Sequence, residues 1–406
     1  MKPPIPTLLA AAALGSLGLG TAWALSRAGA PLPASLNAPG AARGAGPDVI
    51  VGDLYDPIRW GSAGGYTAYS VGTVSCNIGD QPLDWIANTP AHPVIAQNLF
   101  RIKDGRITHI GQSWLKHGFT ALNQSLCSTC NPSPSNSLGV GCSDPYDAFL
   151  NGFQPDLGPK SDVNAATGDF PYPPTLNGTI TDSTSKRLRV KNEDVDPALN
   201  AGAVYVVEGQ YVTADDAQAG NKNNNASYRQ ALISGGSFNM SLTGSTVRES
   251  PAIYAWQVVQ PTVTIEVVDV PNDGRLIVAY DVTDNGDGTW HYEYAVYNQT
   301  SDRGVRAFGL PGSWTQASNP FFQRPENHSG ERWVNNNWQT GERSGFFGWG
   351  TQSFNQNQNA SAIRWGQLYN FAFDSANAPV ATDAVLLLFK PGTGGDQIFV
   401  PVLGPN

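Results

Sequence analysis

The feature that most limits this chain is how often it must turn. Glycine accounts for 44 and proline for 30 of its 406 residues, and they fall between short runs rich in β-branched and aromatic side chains. Such punctuation breaks long helices and favours short antiparallel strands joined by tight turns. The second half is clearest. Residues 262–270, 275–282, 290–298 and 303–310 read as strands, with Asn272-Asp273-Gly274 and Asn285-Gly286-Asp287-Gly288 as the turns between the first three. Residues 363–373, 384–389 and 397–402 complete an expected antiparallel β-sandwich over residues 259–406. In 290–298, His291, Glu293 and Ala295 alternate with Tyr292, Tyr294, Val296 and Asn298, so the two sets face opposite sides of the sheet. Asp281 to Gly286 also matches the start of a calcium loop, but Tyr292 stands where that loop needs Glu, and a hairpin turn accounts for these residues.

The first half, residues 48–258, reads as a looser, mostly-β domain. Residues 97–102 and 106–111 flank Asp104-Gly105 as a hairpin, and residues 203–212 form a further strand. Leu115, Phe119 and Leu122 recur at helical spacing, which predicts a short amphipathic helix over residues 114–122. The proline-bearing stretches 131–136 and 151–178 are expected to be irregular.

The N-terminus carries an address. Lys2 precedes the apolar run 8–19, and Ala22-Trp23-Ala24 offers small residues where a signal peptidase reads. Residues 1–24 are therefore expected to be a cleaved leader and 25–47 an Ala/Pro/Gly linker. The apolar run is shorter than the roughly 20 residues that span a bilayer, so no membrane insertion is expected after cleavage. Export to the cell surface, periplasm or medium makes the four cysteines, Cys76, Cys127, Cys130 and Cys142, readable as two disulfides of undetermined connectivity. The Cys127-Ser-Thr-Cys130 spacing also suits a redox or metal pair, although neither a βαβ setting nor a second such pair accompanies it. With 24 basic against 33 acidic residues, net −9, the chain lacks the basic footprint of a nucleic-acid binder.

Several runs resemble known proteins. Tyr292-x-Tyr294-x-Val296-x-Asn298 resembles a strand of secreted bacterial β-sandwich modules. In the first half, four segments together resemble an uncharacterised family of secreted planctomycete-type bacterial proteins: 68–76 (AYSVGTVSC), 92–98 (HPVIAQN), 112–119 (QSWLKHGF) and 141–146 (GCSDPY). The resemblance implies export and a β-rich fold and brings no known activity.

Chemistry has three candidate locations. His92, His109 and His117 lie close in sequence, near the cysteines and Asp144. Imidazoles with an acid suit a transition metal such as copper, zinc or iron, so His92, His117 and Asp144 are catalytic candidates and the three histidines metal candidates. No HExxH or HxH spacing occurs, and Ser113 lacks a nucleophile elbow. Carboxylates gather at Glu193-Asp194-Val195-Asp196 and at Glu208 with Asp215-Asp216, which read first as solvated surface, then as calcium-clamped loops and, less readily, as a glycosidase pair. Between Trp314 and Trp365 stand Trp333, Trp338 and Trp349 with Phe321, Phe322, Phe346 and Phe347, Arg332, Arg343 and Arg364, and many amides. Flat rings beside amides are what a sugar face requires, so Trp314, Trp333, Trp338, Trp349 and Arg332 are ligand-binding candidates, the other reading being that the tryptophans fill the sandwich core and the amides decorate loops. The leading expectation is an extracellular binding protein for glycan or another cell-surface component. A metal-dependent oxidoreductase or hydrolase at His92 and His117, and a structural surface protein, are the alternatives.

Overall fold

The computed structural model describes residues 45–406 apart from Phe119; the leader expected at 1–24 and most of the linker expected at 25–47 lie outside the described residues. The protein is mostly β, built from antiparallel sheets. A large sheet draws on residues 49–247, its main path running Val49–Ala63, Tyr66–Asn77, Leu188–Lys191, Arg106–Gln112, Val94–Lys103, Val204–Val212, Ala226–Ser234 and Asn239–Val247. Its two ends approach each other: Leu54 N donates to Thr246 Oγ1 at 3.0 Å and Arg248 Nε to Gly52 O at 2.6 Å. The sheet thus curls around a core that includes Val51, Leu54, Tyr69, Val71, Leu99, Val207 and Tyr211.

Two five-stranded sheets form the sandwich. The inner one runs Thr264–Asp269, Arg275–Asp284, Trp290–Asn298, Gln367–Ser375, Ser318–Gln323. The outer one runs Gln339–Arg343, Phe346–Gly350, Val305–Pro311, Pro379–Leu388, Gln397–Pro405. The alternation read at 290–298 sorts these residues correctly. Tyr292, Tyr294 and Val296 enter the core between the two sandwich sheets, with Phe308, Phe371 and Leu386. Ala295 and Tyr297 enter a separate core with Phe100, Ile102, Val204 and Val206 of the large sheet and Trp256 of the short helix Tyr254–Val259. The inner sheet is therefore buried on both faces and the molecule has three β layers.

The hairpin expected at Asp104-Gly105 is present, with both turn residues at positive φ, 49° and 78°. The helix expected over residues 114–122 is not. Leu115–His117 is instead a short strand between Val94–Lys103 and Leu157–Gly158. Those ladders supply backbone partners that an isolated short helix would lack at its ends, and Leu122 is exposed rather than part of an apolar face. Disulfides join Cys76 to Cys127 and Cys130 to Cys142, and they suit an oxidising compartment. Among the described residues, no helix is long and apolar enough to cross a membrane.

Candidate functional site

The strand Leu115–His117 places two of the three clustered histidines together. Val94 pairs with His117, so His92, two residues upstream, meets the His117 ring. His92 Nε2 and His117 Nδ1 lie 3.1 Å apart in a hydrogen bond, and both rings meet Phe170 and Tyr172 edge-on at 5.2–5.6 Å. Gly158 makes room, because a Cβ there would stand 2.6 Å from His117 Nε2. Burial is the main reason that both imidazoles titrate low, at about 4 for His92 and about 3 for His117, so the pair is neutral near pH 7.

The other two members of the expected site lie elsewhere. His109 accepts from Leu368 N at Nδ1 (3.3 Å) and donates from Nε2 to Gly111 O (2.9 Å), which leaves no lone pair for a metal. It ties the large sheet to the inner sandwich sheet instead. Asp144 pairs with Ser75 beside the Cys76 disulfide, and its Oδ1 accepts from Leu122 N at 3.0 Å. Desolvation lifts its carboxyl to about 7. The charged group that acts on both imidazoles is Lys116, with His92 also acting on His117; Asp144 acts on neither. Among the described residues, no group of three His, Cys, Asp or Glu is arranged to hold a metal. A catalytic zinc site normally has three protein ligands, and the imidazole pair supplies two.

The acidic residues are used singly. Asp194 pairs with Arg101 at 3.0 Å, Asp215 accepts from Asp84 N at 2.7 Å and Asp216 from Val49 N at 3.0 Å. Glu208 is wholly buried among Asn98, Tyr297 and Ala252.

The expected tryptophan face is not one surface. Trp338 and Trp349 are 4% and 3% exposed and fill the sandwich core, with Trp314 packed against them from its margin. Trp333 packs on a different cluster with Trp365, and Arg332 bonds Thr175 Oγ1 at 2.6 Å. The cause is strand parity. Along Phe346-Phe347-Gly348-Trp349-Gly350, Phe347 and Trp349 point inward, which turns Phe346, Gly348 and Gly350 outward.

That outward face carries a groove with both apolar and polar lining. Register aligns Gly341, Gly348 and Gly309 in one row across three strands, continued by Val385 and Phe399. One flanking row is Gln339, Gly350, Ala307, Leu387 and Gln397; the other begins with Arg343, Phe346 and Pro311. The glycine row forms the floor of a groove of about 380 Å³, with Arg306 and Asp396 at its edge. Gly348 is forced by packing, since a Cβ there would stand 2.1 Å from Phe308 O, whereas a Cβ on Gly341 would meet nothing within 4 Å. Phe399, half exposed, lies 6.3 Å from the Phe346 ring. Burial and the neighbouring Arg343 charge lower the Arg306 guanidinium, against the pull of Asp396. Two guanidiniums are thus held at one groove.

A second cleft, of about 350 Å³, lies between the large sheet and the sandwich. Its polar groups are spent on one another: Tyr66 OH donates to Glu326 at 2.7 Å, Lys191 pairs with Glu326 at 3.3 Å and Arg324 bonds Asn335. This cleft interlocks the layers. Compared with protein-family models and with curated proteins, the chain matches none.

Proposed function

We propose that this is a secreted, extracellular binding protein that holds an oligosaccharide in the glycine-floored groove on the outer sandwich sheet. One observation carries the reading: a row of glycines, one of them free of any packing demand, runs towards Phe399 and lies between Phe346 and Arg343 on one side and the amides of Gln339 and Gln397 on the other. Glycine inside a strand weakens it, and its use there fits close approach by a ligand. Rings cover the C–H faces of a sugar while amides and guanidiniums bond its hydroxyls. Three strands at about 4.8 Å spacing give a floor about 10 Å long, room for about two sugar rings. The pair Arg306 and Arg343 favours sugars bearing a carboxylate or sulfate. The disulfides, the leader read at residues 1–24 and the resemblance to secreted planctomycete-type proteins all support an extracellular setting.

The test is an array of neutral, uronate-bearing and sulfated oligosaccharides probed with residues 45–406, followed by calorimetry on the best ligand. Phe346→Ala with Phe399→Ala should weaken binding at least tenfold without unfolding the protein. Unchanged affinity in that variant would sink the site.

The 3.1 Å imidazole pair keeps a second reading, a metal-dependent enzyme at His92 and His117. The separation suits two ligands of one ion at about 2.0–2.1 Å each. Elemental analysis of protein purified without chelator decides it: one equivalent of copper, zinc or iron, lost in His92→Ala, would favour the enzyme.

A further inference from the structure

At the heart of the molecule an amine, an amide and a carboxyl stand in line. Asn98 pairs across the large sheet with Gln112 on one side and Glu208 on the other, so the three side chains share a face. Lys160 reaches them from the short turn Lys160–Asp162, whose backbone is fixed from the sandwich side: Lys160 N donates to Glu331 Oε2 at 3.1 Å and its carbonyl accepts from Trp365 Nε1 at 3.2 Å. Lys160 Nζ lies 3.0 Å from Asn98 Oδ1 and 3.2 Å from Gln112 Oε1. On the other side of the amide, Asn98 Nδ2 donates to Glu208 Oε1 at 2.8 Å. Glu208 is fixed in turn by Tyr297 OH at 3.0 Å and Ala252 N at 2.7 Å. Lys160 is 2% exposed, Asn98 and Glu208 not at all.

A buried Lys and Glu that served only to neutralise each other would gain most from direct contact. Here an amide, an electrophile, is inserted between them, with the amine on its oxygen side and the carboxyl on its nitrogen side. We propose that Lys160 and Asn98 join in an intramolecular isopeptide bond, with Glu208 carrying the proton. A rotation of the Lys160 side chain moves Nζ from Oδ1 over Cγ. The lone pair of the free amine then forms the Nζ–Cγ bond, the Cγ–Nδ2 bond breaks, and a proton from Nζ passes through the Glu208 carboxyl to Nδ2. Ammonia leaves, Glu208 regains its starting state, and no oxidant, reductant or cofactor takes part. The dry setting assists: burial lowers the Lys160 amine to about 8 and raises the Glu208 carboxyl, which favours the uncharged amine and the protonated acid. Holding the partners in place replaces a bimolecular encounter with an intramolecular one. The bond would link the large-sheet strand Val94–Lys103 to a loop 62 residues away by a staple that reductants do not open.

Mass spectrometry of the purified, fully reduced and alkylated protein tests this directly. The expected mass is one ammonia, about 17 Da, below that calculated for the purified chain with its four cysteines alkylated. Tryptic digestion should then give a branched species joining peptide 60–101, which holds Asn98, to peptide 117–186, uncut after Lys160. Reduction comes first because the Cys76–Cys127 disulfide joins the same two peptides. Lys160→Met and Glu208→Ala should restore the calculated mass. A wild-type mass equal to the calculated one, with ordinary cleavage after Lys160, would overturn the proposal. So would a loss confined to one unbranched peptide, which would mark a cyclised asparagine.

Discussion

Gly341 separates folding from binding, because its two effects are expected to have opposite signs. It lies within the edge strand Gln339–Arg343 with an ordinary backbone φ, and a Cβ there would meet no atom within 4 Å. A glycine inside a strand costs roughly 0.5–1 kcal/mol relative to alanine. Valine, which also prefers extended backbone, should therefore make Gly341→Val more stable by about 0.5–1 kcal/mol. The same side chain puts two methyl groups on the groove floor, where the sugar ring is proposed to lie. Loss of that contact should weaken binding at least tenfold, about 1.4 kcal/mol. Urea unfolding should show a raised midpoint at unchanged slope, and calorimetry with the best oligosaccharide from the array should show the lost affinity. Gly348→Val is the control: its Cβ would stand 2.1 Å from Phe308 O, so it should lower stability by about 1–3 kcal/mol or more. A Gly341→Val protein that is more stable and binds as wild type would refute the argument that this position is kept open for a ligand.

Other perturbations address the remaining structure. Trp338→Ala and Trp349→Ala remove core side chains and should each cost about 3–5 kcal/mol in unfolding experiments, with ligand affinity of the folded fraction little changed; a stable protein that had lost binding would restore these rings to the ligand face. His92 and His117 titrate below the ordinary 6.5, so the unfolded chain takes up their protons first. Their contribution to stability is complete above about pH 6.5 and is lost as pH falls towards 4. His92→Phe with His117→Phe should flatten the dependence of unfolding free energy on pH in that window by up to two protons, and parallel curves would contradict it. Loop-closure arithmetic gives about 4 kcal/mol for Cys76–Cys127, spanning 51 residues, and about 3 kcal/mol for Cys130–Cys142, spanning 12. Serine replacements read by urea midpoint check both values.

The legible parts of this fold were those decided locally. Asp104-Gly105 and Asn285-Gly286-Asp287-Gly288 specify hairpins because few other residues accept their backbone angles, and the structure has strands on either side of both turns. The alternation at 290–298 sorted side chains between two cores without revealing that both faces are buried. The helix expected at 114–122 failed because a three-residue strand gained ladder partners from segments distant in sequence. Aromatic composition marked residues 314–365, where Trp338 and Trp349 fill the sandwich core and leave the face to their neighbours. Phe346-Phe347-Gly348-Trp349-Gly350 contains the correction, since the residues alternating with Phe347 and Trp349 are Phe346 and two glycines. His92 and His117 were candidates, but only the Val94–His117 pairing unites them and leaves His109 and Asp144 outside. Lys160, in a Gly-Pro-Lys-Ser turn, has the local sequence of a solvated lysine. Its burial follows from the sandwich closing over Asn98 and Glu208, a contact between segments far apart in the chain.

The most direct test of the central claim is hydrogen–deuterium exchange of residues 45–406 with and without the oligosaccharide selected by the array. Binding at the groove predicts added protection in peptides covering 306–311, 339–350 and 396–400, and little change elsewhere. Protection centred instead on 66, 189–194 and 322–337, the cleft between the large sheet and the sandwich, or around His92 and His117, would contradict it.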